Sequence, residues 1–142
     1  MLRNIYLDID GVLLQKDGQP AVGLDEFLEF VTSKFDCYWL TTHCKGDNAG
    51  ALHYLRDRVS KEAFYHIGFI KPTIWQTYKT EAINFNEKFL WLDDYIFEAE
   101  RQELAERNLM DSLQVMDLKS NPNQLLAVLE KLRVAFENEF VK

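Results

Sequence analysis

Two carboxylates stand two residues apart where an apolar run ends, in the stretch Ile5-Tyr6-Leu7-Asp8-Ile9-Asp10-Gly11-Val12. In a strand, residues i and i+2 point to the same side. A strand that ends on acids rather than on core residues presents them at its carboxyl end, where open α/β sheets bind ligands. Such a pair suits metal-assisted phosphoryl chemistry. One carboxylate can hold a hard divalent cation and attack phosphorus, while the second gives a proton to the leaving oxygen and later takes one from water. Gly11 lets the backbone turn sharply away. Asp-Gly is also a common turn dipeptide, so the pair taken alone leaves a simple turn as the competing reading.

The elements that must position these acids show as apolar runs alternating with helical patterns. Residues 3–9 read as a first strand, followed by a flap or short hairpin through Gln15-Lys16-Asp17-Gly18-Gln19-Pro20. The spacing of Leu24, Phe27, Leu28, Phe30 and Val31 predicts a helix over 24–31, with Asp25 and Glu26 in its first turn. Cys37-Tyr38-Trp39-Leu40 reads as a buried strand ending in Thr41-Thr42, and Asp47 can cap a helix that carries Ala51, Leu52, Tyr54 and Leu55. A short third strand is expected over 64–70. A helix over 73–83 would set Trp75 and Lys79 four apart on one face. Phe89-Leu90-Trp91-Leu92 then runs directly into Asp93-Asp94. A helix over 98–107, a strand over 113–116 and an amphipathic helix over 123–140 complete the pattern. The alternation predicts an α/β fold, a three-layer, doubly wound, mostly parallel Rossmann-like sheet.

A chain of 142 residues fits one domain of the commonest size, here residues 1–142. No apolar run is long enough to span a bilayer and no charged-then-apolar leader opens the chain, so a soluble, cytoplasmic protein without a membrane partner is expected. The formal net charge of -7 argues against a basic track for nucleic acid unless a partner supplies the basic surface. Cys37 and Cys44 lack zinc-site spacing and read as free thiols. The acids of 98–106, interleaved with Arg101 and Arg107, read as a solvated helix face, and Trp39 and Trp91 as core.

Three strand ends thus carry polar residues of matched chemistry: Asp8 and Asp10, Thr41 and Thr42, Asp93 and Asp94. In a parallel sheet these ends share one edge. A crevice there gathers acids for a cation, hydroxyls for phosphate oxygens and a lysine for the remaining negative charge. Scattered turn residues would not produce that grouping.

The order Asp-x-Asp-Gly-Val, apolar strand then Thr, Lys, apolar strand then Asp-Asp resembles the haloacid dehalogenase superfamily of phosphohydrolases, over about Ile5 to Asp94. The resemblance implies that Asp8 is the nucleophile forming an aspartyl-phosphate, with its other oxygen on Mg²⁺. Asp10 would be general acid and base and contact the metal through its backbone carbonyl. Thr41, or Thr42, would bind the phosphoryl group, with Gly11 beside it. Lys79 would neutralise charge between Asp8 and the phosphate; Lys71, in a Lys-Pro pair, is the alternative. Asp93 would hold Mg²⁺, with Asp94 as second ligand or outer acceptor. The stretch from Trp75 to Lys79 followed by the acidic strand is similar to small members, a group that includes domains linked to nucleic-acid repair. His43 follows the hydroxyl pair and is a candidate substrate contact.

The gaps between these motifs have no room for a cap domain. An open site suits a phosphorylated protein or a nucleic-acid end, or a small phosphate ester covered by a partner subunit such as a second copy of the chain. The implied activity is an Mg²⁺-dependent phosphomonoesterase. The alternative is a binding or regulatory domain that keeps the fold and metal site but turns over slowly or not at all. A phosphoacceptor receiver domain combines similar residues in a different order, with its lysine after the threonine at the last strands.

Overall fold

The computed structural model describes residues 1–141. Strand β1 (Asn4–Leu7) pairs with β2 (Asp36–Trp39) on one side and β3 (Phe89–Asp93) on the other, and β4 (Leu113–Val115) extends the sheet beyond β3. All pairings are parallel, in the order β2-β1-β3-β4. The chain therefore winds from β1 outward to β2, then crosses back to lay β3 against β1's other side. The β1/β3 boundary is the topological switch point, where open α/β sheets leave a crevice outside their carboxyl ends.

Alternation along the strands divides the core in two. Ile5, Leu7, Cys37, Trp39 and Leu92 face one cluster, closed by α1 (Leu24–Lys34), α2 (Ala49–Leu55), α3 (Lys61–Ile67) and α5 (Gln124–Val141). Tyr6, Phe89 and Trp91 face the other, closed by Leu104 of α4 (Glu98–Glu106) together with Trp75, Ile83 and Ile96. Apolar side chains thus cover both faces of the sheet, as a parallel sheet requires. Trp39 and Trp91 are fully buried core residues. Among the described residues, their indole N–H groups meet no hydrogen-bond acceptor. Among the described residues, no helix is long and apolar enough to cross a membrane.

Four local expectations are corrected. Strand β1 stops at Leu7, short of residue 9, and residues 9–21 fold into a tight turn and hairpin, with Gln15 N–H donating to the Gln19 carbonyl (2.8 Å) and Ala21 N–H to the Leu13 carbonyl (2.9 Å). The flap expected there is present.

The segment expected as a third strand over 64–70 is instead α3 and its exit. Ser60 accepts the Ala63 N–H at 3.0 Å, and the buried Ala63 and Ile67 stand four apart, so N-cap and helical period agree. Strand-like pairing there is a single parallel bridge, in which Lys71 N–H donates to the Cys37 carbonyl (2.9 Å) and Trp39 N–H to the Lys71 carbonyl (2.8 Å).

The helix expected over 73–83 reduces to a 3-10 turn, Lys79–Ala82. The Glu81 carboxylate accepts the N–H groups of Gln76, Thr77 and Tyr78, at 3.1, 3.1 and 2.7 Å, and so holds the approach to that turn in a non-helical loop. Trp75 and Lys79 therefore share no helix face. Finally, α4 is not solvated all round: Glu100 is buried, its carboxylate bonded to the backbone of Lys79 and Phe97.

Candidate active site

The β1 register continues past the strand's end, with Asp8 N–H donating to the Leu92 carbonyl (3.2 Å) and Leu40 N–H to the Leu7 carbonyl (2.8 Å). Asp8 is thereby set between the ends of β2 and β3, next to Asp93. The Lys79 ammonium lies 3.3 Å from Asp8 Oδ2 and 2.6 Å from Asp93 Oδ2. Lys79 and Asp8 side chains are each 13 % exposed and Asp93 1 %, so this trio sits in partly desolvated surroundings where charges act strongly.

Remaining lone pairs are also used. Asp8 Oδ1 accepts the Ile9 N–H at 2.8 Å and Asp93 Oδ1 the Tyr95 N–H at 3.1 Å, which fixes both carboxyl planes. Burial pushes the Asp93 carboxyl up, and the Asp8 charge pushes it further, to about 8 despite the ammonium beside it. Burial pulls the Lys79 ammonium down, but Asp8 and Asp93 outweigh this and hold it above the ordinary lysine range. One ammonium does not offset two ionised carboxylates, so Asp93 holds on to its proton, and a further cation would let both acids ionise.

Asp8, Asp93 and Asp94 each offer an oxygen within 4.8 Å of the others. Octahedral oxygen ligands about 2.1 Å from Mg²⁺ stand at most about 4.2 Å apart, close to the 4.8 Å limit within which all three oxygens fall. All three donors are hard carboxylate oxygens, the type that Mg²⁺ takes. The residues fit the ion that the resemblance implies.

Asp10 lies beyond the end of β1 and has partners of its own. The Asp10 carboxylate lies outside the triad: its Oδ1 accepts the Tyr54 hydroxyl at 2.7 Å, and its Oδ2 is 2.9 Å from His43 Nε2. Burial raises the Asp10 carboxyl, yet these two contacts bring it below the usual carboxylate range. The Tyr54 hydroxyl is raised in turn by its bond to Asp10.

Asp94 is gripped from the flap by the Lys16 ammonium. Gly11 runs directly beneath it with φ +82°, and a Cβ there would lie 2.6 Å from the Asp94 carboxylate. Gly11→Ala is therefore expected to destabilise the fold by about 1–3 kcal/mol, since left-handed backbone and a close approach are both refused to a side chain. It should also displace Asp94. Thermal melts with and without Mg²⁺ check this, and an unchanged melting temperature in both would refute it. Next to Asp94 opens a cleft of about 510 Å³, lined by Gly11, Lys16, Val115, Met116 and Leu118 among others.

Thr41 is fully buried immediately past β2, and its hydroxyl oxygen accepts the His43 N–H at 3.3 Å. Thr42 is exposed. Lys71 is not brought to the site: its ammonium pairs with Asp36 at 3.4 Å, at the opposite end of β2. Of the two candidate lysines, Lys79 alone reaches Asp8. Cys44 is buried with its thiol donating to the Asp47 carbonyl at 2.9 Å, and burial raises its pKa, the reverse of an activated thiol.

Two contributors go unmarked by the sequence motifs. Glu100 accepts the Lys79 N–H (2.7 Å) and the Phe97 N–H (2.8 Å), tying the lysine's backbone to the start of α4. A glutamate three residues into a helix, after a loop, carries that capping signal. Tyr54 has no local signal, because its partner lies 44 residues away. The chain matches no family model, no curated protein and no solved structure.

Proposed function

We propose that the chain is an Mg²⁺-dependent phosphomonoesterase that works through an aspartyl-phosphate on Asp8, as a capless member of the haloacid dehalogenase superfamily. The observation that carries this reading is the Lys79 ammonium held between Asp8 and Asp93 at the switch point. A nucleophilic carboxylate must meet an already negative phosphate, and a buried cation beside it lowers that repulsion. Asp8, Asp93 and Asp94 would hold Mg²⁺, which when bound supplies charge neutralisation for the phosphoryl oxygens.

The chain's own residues supply the remainder. An Asp8 oxygen forms its bond to phosphorus as the bond from phosphorus to the leaving oxygen breaks, and Asp10, whose carboxyl is low in the free protein but would be pushed up by the negative charge of a bound phosphate ester, gives that oxygen a proton. Water then attacks the phosphorus of the aspartyl-phosphate, the Asp8–phosphorus bond breaks, and Asp10 recovers a proton from the water. Thr41, positioned at the same edge, is the phosphoryl-binding hydroxyl. The capless reading draws on what fills the gaps: one hairpin and α1 between β1 and β2, and two short helices with a 3-10 turn between β2 and β3. The cleft beside Asp94 gives the leaving group room.

The test is hydrolysis of a generic aryl phosphate. Turnover is expected to rise saturably with Mg²⁺ and to stop when EDTA removes it. Turnover indifferent to EDTA would sink the metal-dependent mechanism.

A further inference from the structure

We propose that Tyr54 and His43 are positioning residues for Asp10, gripping both of its carboxylate oxygens so that it serves leaving groups that depart only when protonated. The proposal rests on the phosphoryl-transfer reading above and deepens it. Asp10 needs such help, since its side chain is 43 % exposed and follows the end of a strand, where nothing in its own segment fixes its rotamer.

The grip is assembled from two elements far along the chain from Asp10. Tyr54 reaches in from α2 and His43 from the loop after β2, and their rings stack at 4.0 Å between centroids with 14° between planes. The Arg58 guanidinium lies 4.2 Å from the Tyr54 ring centroid and donates to the Tyr54 carbonyl at 2.7 Å, so the ring is held from the turn after α2 as well. Gly50, on the same helix, closes the arrangement: a Cβ there would collide with the His43 carbonyl, so only glycine lets α2 come this near the loop. The His43 N–H on Thr41 Oγ1 links the grip to the candidate phosphate-binding residue.

A carboxylate has about four lone-pair directions, and the grip uses one on each oxygen. The others stay free for the reacting oxygen. When Asp8 attacks, the proton passes from Asp10 to the leaving oxygen as the phosphorus–oxygen bond breaks; in hydrolysis the water proton returns to Asp10 as the Asp8–phosphorus bond breaks. Correct orientation matters most for a poor leaving group, which cannot depart as an anion.

The experiment compares kcat/KM, which reports steps only up to aspartyl-phosphate formation, across a series from dinitrophenyl through nitrophenyl and phenyl to alkyl phosphates. Tyr54→Phe keeps the ring stack and removes only the hydroxyl. It is expected to lose about tenfold or more on phenyl and alkyl phosphates and no more than about threefold on the dinitrophenyl ester, steepening the leaving-group dependence. His43→Leu should do the same, His43→Gln should restore part of the loss, and the double variant should fall short of the product of the singles because the two act on one carboxyl. An unchanged slope, or a uniform loss across the series, overturns the proposal and leaves the hydrolase reading standing. Wild-type protein inert toward the whole series overturns the hydrolase reading, and the proposal with it.

Discussion

Asp8→Asn is expected to abolish phosphate-ester turnover, with a loss of roughly 10³-fold or more, while leaving the fold intact. Asparagine preserves the shape of the side chain and can keep its oxygen on the Ile9 N–H, which Asp8 now holds at 2.8 Å. What it removes is the charge that would attack phosphorus in the proposed reaction. It also removes one of the two carboxylates facing Lys79, so the ammonium is left paired with Asp93 alone, at 2.6 Å. The Asp8 charge is one of the causes that raise Asp93, and without it Asp93 ionises more readily. The variant should therefore melt at or slightly above the wild-type temperature. Two measurements decide the matter: steady-state hydrolysis of an aryl phosphate, and rapid acid quench followed by mass spectrometry for a phosphate adduct on Asp8. A folded Asp8→Asn protein that retains a tenth of the wild-type rate would exclude Asp8 as the nucleophile.

The residues facing Asp8 differ in how far their own segments announced them. Asp93 was legible because a four-residue apolar run ends on it, and a buried strand has no packing use for acids at its end. Thr41 was legible for the same reason, one strand over. The strands' parallel arrangement followed from their alternation with helices, and the sheet order then brought all three ends to one edge. Lys79 was harder to read: its role came only through the resemblance, and the helix expected to carry it does not form. It reaches the site from a 3-10 turn, fixed by Glu81 accepting three backbone N–H groups and by Glu100 accepting one more.

Those two glutamates show where local pattern reading fails. A charged residue in a polar segment looks solvated whether it faces water or satisfies orphan backbone donors, because composition does not distinguish the two. The segment over 64–70 failed differently. Its apolar residues suit a short strand as well as a helix, and the cap at Ser60, outside the apolar run, was the discriminating residue. Tyr54 and His43 had no signal at all for their shared role. Their meeting at Asp10 depends on α2 docking against the loop after β2, a tertiary fact written in no single stretch of the chain.

The same crowding of charge that would suit Asp93 to hold a cation predicts what its removal does to stability. Asp93→Asn is expected to stabilise the metal-free protein at pH 8 while abolishing its Mg²⁺ response. The folded-state pKa of Asp93, about 8, lies above that of an unfolded aspartate, so the folded state holds this proton over a range where the unfolded chain has lost it. Stability attached to that proton is fully present below about pH 4 and is lost as pH rises through about 8. Asparagine imitates the protonated acid and cannot lose a charge-neutral state. In EDTA, wild type and variant should therefore melt alike near pH 4, and by pH 8 the variant should be the more stable by several kcal/mol. Lys79 remains compensated in the variant by Asp8, 3.3 Å away. Mg²⁺ should reverse the ranking at pH 8. A cation that binds only the folded wild type stabilises it by mass action, whereas a triad reduced to Asp8 and Asp94 lacks its most buried charged donor. Turnover by the variant should fall by about 100-fold or more, because an incompletely held ion no longer offsets the charge of the phosphate. Melting curves near pH 4 and at pH 8, each in EDTA and in Mg²⁺, separate these effects. A variant less stable than wild type in EDTA at pH 8 would mean that the ion pair with Lys79 outweighs the cost of burying the second carboxylate, and that the site is held together by its charges rather than strained by them.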